Sequence, residues 1–533
     1  MSPPELVAAD GRTPLRAMTA TPYRAGDRLS QELAGWEPML QSPDAAMWGL
    51  RDDVVARSTD LGRNNGFAAG ARQSQIDNVI GANWMLAVEP NWHALGLDSM
   101  SDDERDAWEE HVEEEFDDYA NGEGNWIDAG RRVSFIGLLR QDFGAWFDAG
   151  EFLAVSHWLD DRVGPGRARY ATTWQSVSPD RLSNPNGGAD TTTLRGGIEL
   201  GAYGEPLAYH VRRAHPYDPW MGAETYQWAR FEREDVFGRP NVLHGFVVEG
   251  DGMTRGVSPM STVTEAFRLH DVYDRAVLKA SLINTLIAAT IETQSGLDNE
   301  ALETMFAGSA GADGKVRPAI GGPPMKLDRT IVPKLPVGTT LKFSTPQQPA
   351  GAAYQQFTDA VLRREAAGLG MSFEEISRDF SKTNYSSARA SLLGAWKAIT
   401  GRSAFLERTA AAPRYAAWFE EAVDRGIVEL PTLRRDKGVG FYERRSAWLR
   451  HAWIGPGRGH IDPVKERQAY QIGRDTYTDT LQSANAEQGR DWRKVARQTA
   501  RENRVLLRLN LPVATTASLM GVKGTSENER PAA

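Results

Sequence analysis

Catalytic nucleophiles, metal ligands, phosphate-cradling loops and paired carboxylates each leave a spacing in a sequence that can be checked. The chain has no cysteine, which removes thiolate nucleophiles, thiolate metal sites and disulfides together. Its nine histidines are scattered. Only His210 and His215, His244, and His451 and His460 fall near one another, and neither a His-Glu-x-x-His pair nor an EF-hand spacing occurs. The pattern suggests isolated core or surface histidines and no bound metal. Gly314-Lys315 has Ser309 where a phosphate loop needs its first glycine, and Val316 follows the lysine. Gly455-x-Gly457-x-Gly459 follows no Val/Ile strand, so a turn is expected there and not a dinucleotide fingerprint. No Gly-x-Ser-x-Gly elbow occurs either.

Sixteen tryptophans and abundant carboxylates are compatible with a carbohydrate-active hydrolase, in which a carboxylate pair cuts between aromatic platforms. Large aromatics also fill domain and subunit interfaces, and no acid pair stands out from the surface carboxylates. The expectation is a protein without catalytic residues or cofactor, with the hydrolase as the alternative.

Charge adds an asymmetry. The net charge is −10, which argues against a generic nucleic-acid binder. Residues 101–120 hold eleven acids against one base, Arg105, so this segment alone equals the net charge of the chain. Residues 361–511 hold 27 bases against 18 acids. Different surfaces for different partners are expected. Within the basic part, Arg493, Lys494, Arg497, Arg501, Arg504 and Arg508 lie on one helical stretch from Asp491 to Leu509. A solvated face and a phosphate-tracking face are both open for it.

The elements that must position these residues follow from periodicity. With 533 residues, 41% hydrophobic and 25% charged, the chain has the composition of a soluble protein and is long enough for three to four units of roughly 150 residues. No run of about 18 apolar residues occurs, so no membrane span is expected. Met1-Ser-Pro-Pro-Glu lacks the basic and apolar regions of a signal peptide. Residues 1–30 are Pro-rich and aperiodic, as in a flexible arm. Helical spacing runs from Asp44 to Ile80, with Arg63–Arg72 predicted as a loop feeding a helix. Trp108, Val112, Phe116 and Tyr119 form an apolar stripe opposite the carboxylates, predicting an amphipathic helix.

From Glu151 to Glu249 the period changes to short alternating runs at 152–158, 169–174, 198–200, 207–211 and 242–248, which predicts an antiparallel sheet. Ser258-Pro259 opens a helix whose apolar spacing continues to Ile291. Residues 294–350 are Gly/Pro-rich, with a β-like piece at Thr339–Phe343. A helix follows at 352–368, then a polar turn at 377–386. The longest helical pattern spans Ser387–Val423; Pro413 should kink it and Gly426 should end it. Gly438–Tyr442 is expected to be β-like. The fold class is α+β.

Several blocks then acquire a common meaning: Arg63-Asn-Asn-Gly-Phe-Ala-Ala, Val177–Asn186, Thr254-Arg-Gly-Val-Ser258, Ala367–Ser377, Asn384-Tyr-Ser-Ser-Ala-Arg-Ala-Ser391 and Trp453-Ile-Gly. As an ordered set over about 31–511 they resemble the lambda-type portal proteins of tailed bacteriophages. The resemblance implies a portal fold. Its parts are a mixed α/β wing (31–255), a stem helix (256–291), a clip (292–350), a second stem helix (351–370), a channel loop (379–386), a long kinked helix (387–426), a wing return (427–473) and a helical crown (474–511). Flexible arms at 1–30 and 512–533 flank these.

The resemblance further implies a dodecameric ring at one capsid vertex of the virion, assembled in the bacterial cytoplasm, through which double-stranded DNA enters and leaves. Expected partners are other copies of the chain, the large terminase subunit, head-completion and connector proteins, and major capsid and scaffold proteins, with no membrane. Arg378, Lys382 and Arg389 bracket the channel loop, with Asn384, Tyr385 and Ser386 as neutral donors. Lys315, Arg317, Lys326, Arg329 and Lys334 of the clip are expected to face the terminase, or to be ordinary solubilising charges. The acidic helix would sit on the wing.

Overall fold

The computed structural model describes Ala25, Leu33 and residues 35–286, 290–293, 339–342, 352–381, 385–431, 441–458 and 463–511. Most of both arms, and the clip bases Lys315, Arg317, Lys326, Arg329 and Lys334, lie outside these residues.

Asn65 organises the first helices. Its extended backbone ends α1 (Arg51–Asn64), and its side-chain oxygen accepts from the Ala68 N–H to start α2 (Gly66–Val79); such a cap stabilises by about 1 kcal/mol. One residue therefore does what the sequence suggested as a ten-residue loop. After β1 (Met85–Val88) comes the acidic helix α3 (Asp102–Asn121). A reciprocal Ser101–Glu104 capping box opens it, which satisfies two otherwise orphaned donors. Val112, Phe116 and Tyr119 of the expected stripe are buried.

The apolar helix α4 (Phe135–Ala149) leads into β2 (Glu151–Trp158) through Gly150. Gly150 has φ +85°, and a Cβ there would come within 2.5 Å of the Val257 and Ser258 backbone. Only glycine lets the segment that opens the next long helix pack this closely. β3 (Thr172–Val177), β4 (Leu194–Arg195), β5 (Ile198–Leu200), β6 (Pro206–Arg212), β7 (Trp228–Glu232) and β8 (Val242–Phe246) complete two antiparallel sheets, ordered β3-β2-β8 and β4-β5-β6-β7. Their apolar faces share a small core including Leu153, Val155, Ile198, Tyr209 and Val242.

Helix α5 (Thr264–Leu286) is shorter than its apolar spacing suggests: Ile291 lies in β9 (Thr290–Thr293), which pairs antiparallel with β10 (Thr339–Lys342). The β-branched Thr290, Ile291 and Thr293 favour a pleated strand over another helical turn. α6 (Ala352–Leu369) packs on α5. Tyr354 stacks on Tyr273, and its hydroxyl donates to Asp274 at 2.8 Å. Deeper in, buried His270 faces buried Glu365 at 3.4 Å.

After α7 (Phe373–Ser377), the longest helical run is α8 (Tyr385–Leu406), five π-helical residues (Glu407–Ala411) and α9 (Ala412–Asp424). The expected interruption at Pro413 takes this form, since a wider turn just upstream accommodates a residue that has no N–H and crowds the preceding turn. Gly426 follows with φ +67°. Phe441 and Tyr442 lie in a 3-10 turn (Phe441–Arg444), not a strand; residues 438–440 are outside the described residues. β11 (His451–Ile454) pairs with β1, joining the early and late chain. Gly457 then runs so close to the Gln488 backbone that a Cβ would approach it to 2.4 Å, so the glycine serves a close backbone approach. α10 (Pro463–Asp475) and α11 (Trp492–Arg508) end the described chain.

The tryptophans are largely accounted for by packing. Trp84, Trp146, Trp174, Trp418 and Trp448 are buried. Trp92, Trp108 and Trp448 meet edge-on or tilted between α3 and the late chain. Trp36, Trp48, Trp158 and Trp220 are exposed.

One buried charge locks the sheets to α1 and to the segment that leads into α5. Glu151 is fully buried; it accepts from Arg51 at 2.6 Å, from Arg255 Nε at 2.8 Å and from the Gly256 N–H at 2.8 Å, with His244 Nε2 at 3.1 Å. Arg255 also donates to the carbonyls of Leu182, Gly196 and Pro179. Burial alone would raise the Glu151 pKa, but Arg255 and Arg51, with His244, hold it well below the usual carboxylate range. A buried carboxylate is tolerable only with this degree of pairing.

Candidate functional site

The expected channel loop is flanked by two segments that both rest on α2. On the leading side, Ser372 and Glu375 form a capping box that opens α7. α7 ends at Arg378, whose backbone is left-handed (φ 56°) and whose N–H donates to the Glu374 carbonyl. That conformation costs a non-glycine residue about 1 kcal/mol, and the side chain here makes a specific contact: Arg378 Nη2 donates to Ser74 Oγ at 2.5 Å. Asn78, one helical turn further along α2, donates to Glu375 at 3.0 Å.

On the trailing side, Arg402 of α8 donates to the Gln75 side chain and, at 2.6 Å, to the Leu369 carbonyl. Ser391 Oγ closes the cluster by donating to Glu374 at 2.9 Å. Ser74 and Gln75 are buried.

The structure places the sequence-derived residues around this cluster unevenly. Arg378 belongs to it directly. Arg389 is exposed and borders a small cleft with Asn78, Glu375, Leu392, Trp396 and Arg458. Tyr385 and Ser386 open α8. Lys382 and Asn384 lie outside the described residues. Ser74, Gln75, Asn78 and Arg402 were not anticipated. Ser74, Gln75 and Asn78 are spaced on α2 as on an ordinary polar helix face, and only contacts to residues about 300 positions away give them a role.

The two oppositely charged regions also meet. Arg493 of α11 pairs with Glu109 at 2.5 Å and Asp106 at 3.3 Å of α3, and Arg497 pairs with Glu110. Part of each charged face therefore serves the other, while Arg501, Arg504 and Arg508 remain exposed. Glu109 also accepts from Trp92 Nε1 at 3.0 Å, yet burial raises its pKa. The neighbouring Glu113, buried and accepting from the Val88 N–H, is pushed up to about 7, mainly by burial.

Among the described residues no group of three or more His, Asp or Glu could hold a metal, and no helix is long and apolar enough to cross a membrane. The close histidine contacts to Glu199 and Glu151 are single pairs at 2.7 and 3.1 Å.

Comparison with known proteins identifies the framework. Residues 29–402 match the family model described as phage portal protein, lambda family. The portal protein of Escherichia phage N15 is 33% identical over 100% of this chain and 99% of its own length. Portal protein B of Escherichia phage lambda is 31% identical over 99% of this chain and 98% of its own. A chain from the neck of an empty GTA particle, computed with C6 symmetry, aligns with a TM-score of 0.40 and 15% identity, covering 88% of this chain and 95% of that one. Full-length identity to two phage portal proteins displaces the hydrolase alternative, whose aromatic platforms are in large part core. The chain belongs to the lambda family of phage portal proteins.

Proposed function

We propose that this portal protein forms a ring of twelve copies at one capsid vertex, conducts double-stranded DNA through its centre and presents residues 292–350 to the terminase large subunit and then to head-completion or connector proteins. Major capsid and scaffold proteins meet the outer face of 31–255. The role is structural and uses no cofactor.

The observation that carries this reading is the clamped loop. A segment with Lys382 at its centre lies between a five-residue helix and the longest helical run of the chain, and α2 takes a contact from Arg378 at its leading end and from Arg402 farther along α8. Such a loop suits transient phosphate contact: one lysine with neutral donors nearby attracts the backbone without reading bases, and tight base readout would stall movement. Lys382, Asn384, Tyr385, Ser386 and Arg389 are the contacts assigned to the DNA path. The β9–β10 pair brings the two ends of 294–338 together, as a projecting clip requires, and its bases Lys315, Arg317, Lys326, Arg329 and Lys334 would complement an acidic docking surface.

Replacing Lys382 by Ala is expected to lower the yield of heads that package and retain a full genome, with ring assembly unchanged. Wild-type yields of filled heads from Lys382→Ala would remove Lys382 from the DNA contacts.

A further inference from the structure

We propose that Arg378 is a positioning residue and not a phosphate contact: its guanidinium fastens the start of the channel loop to the buried Ser74 hydroxyl of α2, the helix that also holds the trailing flank. The inference deepens the DNA-conduit reading and rests on it.

Three observations converge. The first is conformational. A helix that ends in a left-handed residue ordinarily places glycine there; Arg378 takes that conformation at φ 56° and directs its side chain back to α2. The second is the acceptor. Ser74 is 4% exposed, so its hydroxyl can be reached by a donor of this chain and not by a polymer passing outside it. The third is that the anchor is one of a set. Ser74, Gln75 and Asn78 lie on one stretch of α2 and engage, respectively, Arg378 just after α7, Arg402 on α8 and Glu375 within α7.

Both flanks are thereby referred to the same rigid element, and α2 is itself tied to the core by buried Ala68, Ala71, Ile76 and Val79. A guanidinium suits this task better than an ammonium, because its planar fork keeps direction over the length of the side chain. A phosphate contact, in contrast, needs only positive charge.

That difference makes the test. Heads are assembled with full-length chains carrying Ser74→Ala, Arg378→Lys, Arg378→Ala, Lys382→Ala or Ser74→Ala with Arg378→Ala, and the yield of DNA-filled heads is measured beside ring formation. The expected result is that Arg378→Lys and Ser74→Ala each lower the yield as much as Arg378→Ala, and that the Ser74/Arg378 double variant falls no further. Ser74→Thr, which keeps the hydroxyl, should recover most of the loss.

Wild-type yields from Arg378→Lys and Ser74→Ala, with a loss only in Arg378→Ala, would overturn the proposal and make Arg378 a charge. Wild-type yields from Lys382→Ala and Arg378→Ala alike would instead overturn the channel-loop reading itself. Should a variant not form rings, amide exchange at Phe373–Ser377 decides. Loss of a charge-assisted anchor should speed exchange there roughly tenfold in both Arg378→Lys and Arg378→Ala, and unchanged rates in Arg378→Lys would contradict the anchor.

Discussion

The Glu151 hub and the α3–α11 clasp join distant parts of the chain with the same chemistry, carboxylate to arginine, yet they hold in different ways. Glu151 is fully buried, with two arginines, a histidine and a backbone N–H around one carboxylate. In the clasp, Arg497 and Glu110 each keep more than a third of their side-chain surface in solvent, while Arg493 reaches the buried Glu109 from a partly exposed position. A buried, fully paired charge is costly to break because its partners are left without compensation. A half-exposed pair competes with water and salt and contributes little alone. The hub therefore fixes the β2 sheet against α1 and the segment leading to α5, whereas the clasp sets the orientation of the last helix without making it rigid.

Breaking the hub should have the largest effect. Glu151→Ala leaves Arg51, Arg255 and His244 without their carboxylate and is expected to cost about 3–5 kcal/mol, measured by urea unfolding of the purified protein. The folded-state pKa of Glu151 lies below its unfolded value, so its stabilisation is present above about pH 4.5 and is lost as pH falls through the folded value. A loss under 1 kcal/mol would place the hub with the clasp.

An intermediate effect should come from Glu113, at the buried edge of the clasp. Its pKa is raised from 4.5 to about 7. Between these values the folded state binds more protons than the unfolded one, so stability falls as pH rises through that window and levels off above it. Glu113→Gln, which keeps the acceptor for the Val88 N–H, should be on the order of 2 kcal/mol more stable than wild type at pH 8 and nearly equal at pH 5. Equal stability at both pH values would show that Glu113 titrates normally.

The smallest effect is expected from the clasp itself. Arg497→Ala, which removes the exposed pair with Glu110, should cost about 1 kcal/mol at low salt and less at about 1 M salt, where the screening length shortens to about 3 Å. A loss matching that of Glu151→Ala, insensitive to salt, would erase the contrast between the two regions.

Much of this architecture was legible where one stretch of sequence decides its own structure. The stripe at Trp108, Val112, Phe116 and Tyr119 specified α3, and short apolar runs between turn residues marked β2 and β6. Pro413 marked the interruption of the longest helix, and Gly426 marked its end. What stayed hidden depends on a distant partner. β1 needs β11, more than 350 residues away. β7 has no fully buried residue to produce an alternation. Ile291 fits a helical spacing but pairs with Leu341. The charge asymmetry was visible, while the docking of α11 on α3 was not, because composition does not say which oppositely charged segments meet. The loop's sequence marked it as special, yet its supports at Ser74, Gln75 and Asn78 resemble any polar helix face.

The most direct test of the conduit reading is negative-stain electron microscopy of the purified chain with native mass spectrometry on the same sample. Closed rings of about a dozen subunits around a central hole are expected, as cyclic symmetry with one repeated heterologous interface requires. A homogeneous monomer or dimer at every concentration would contradict it.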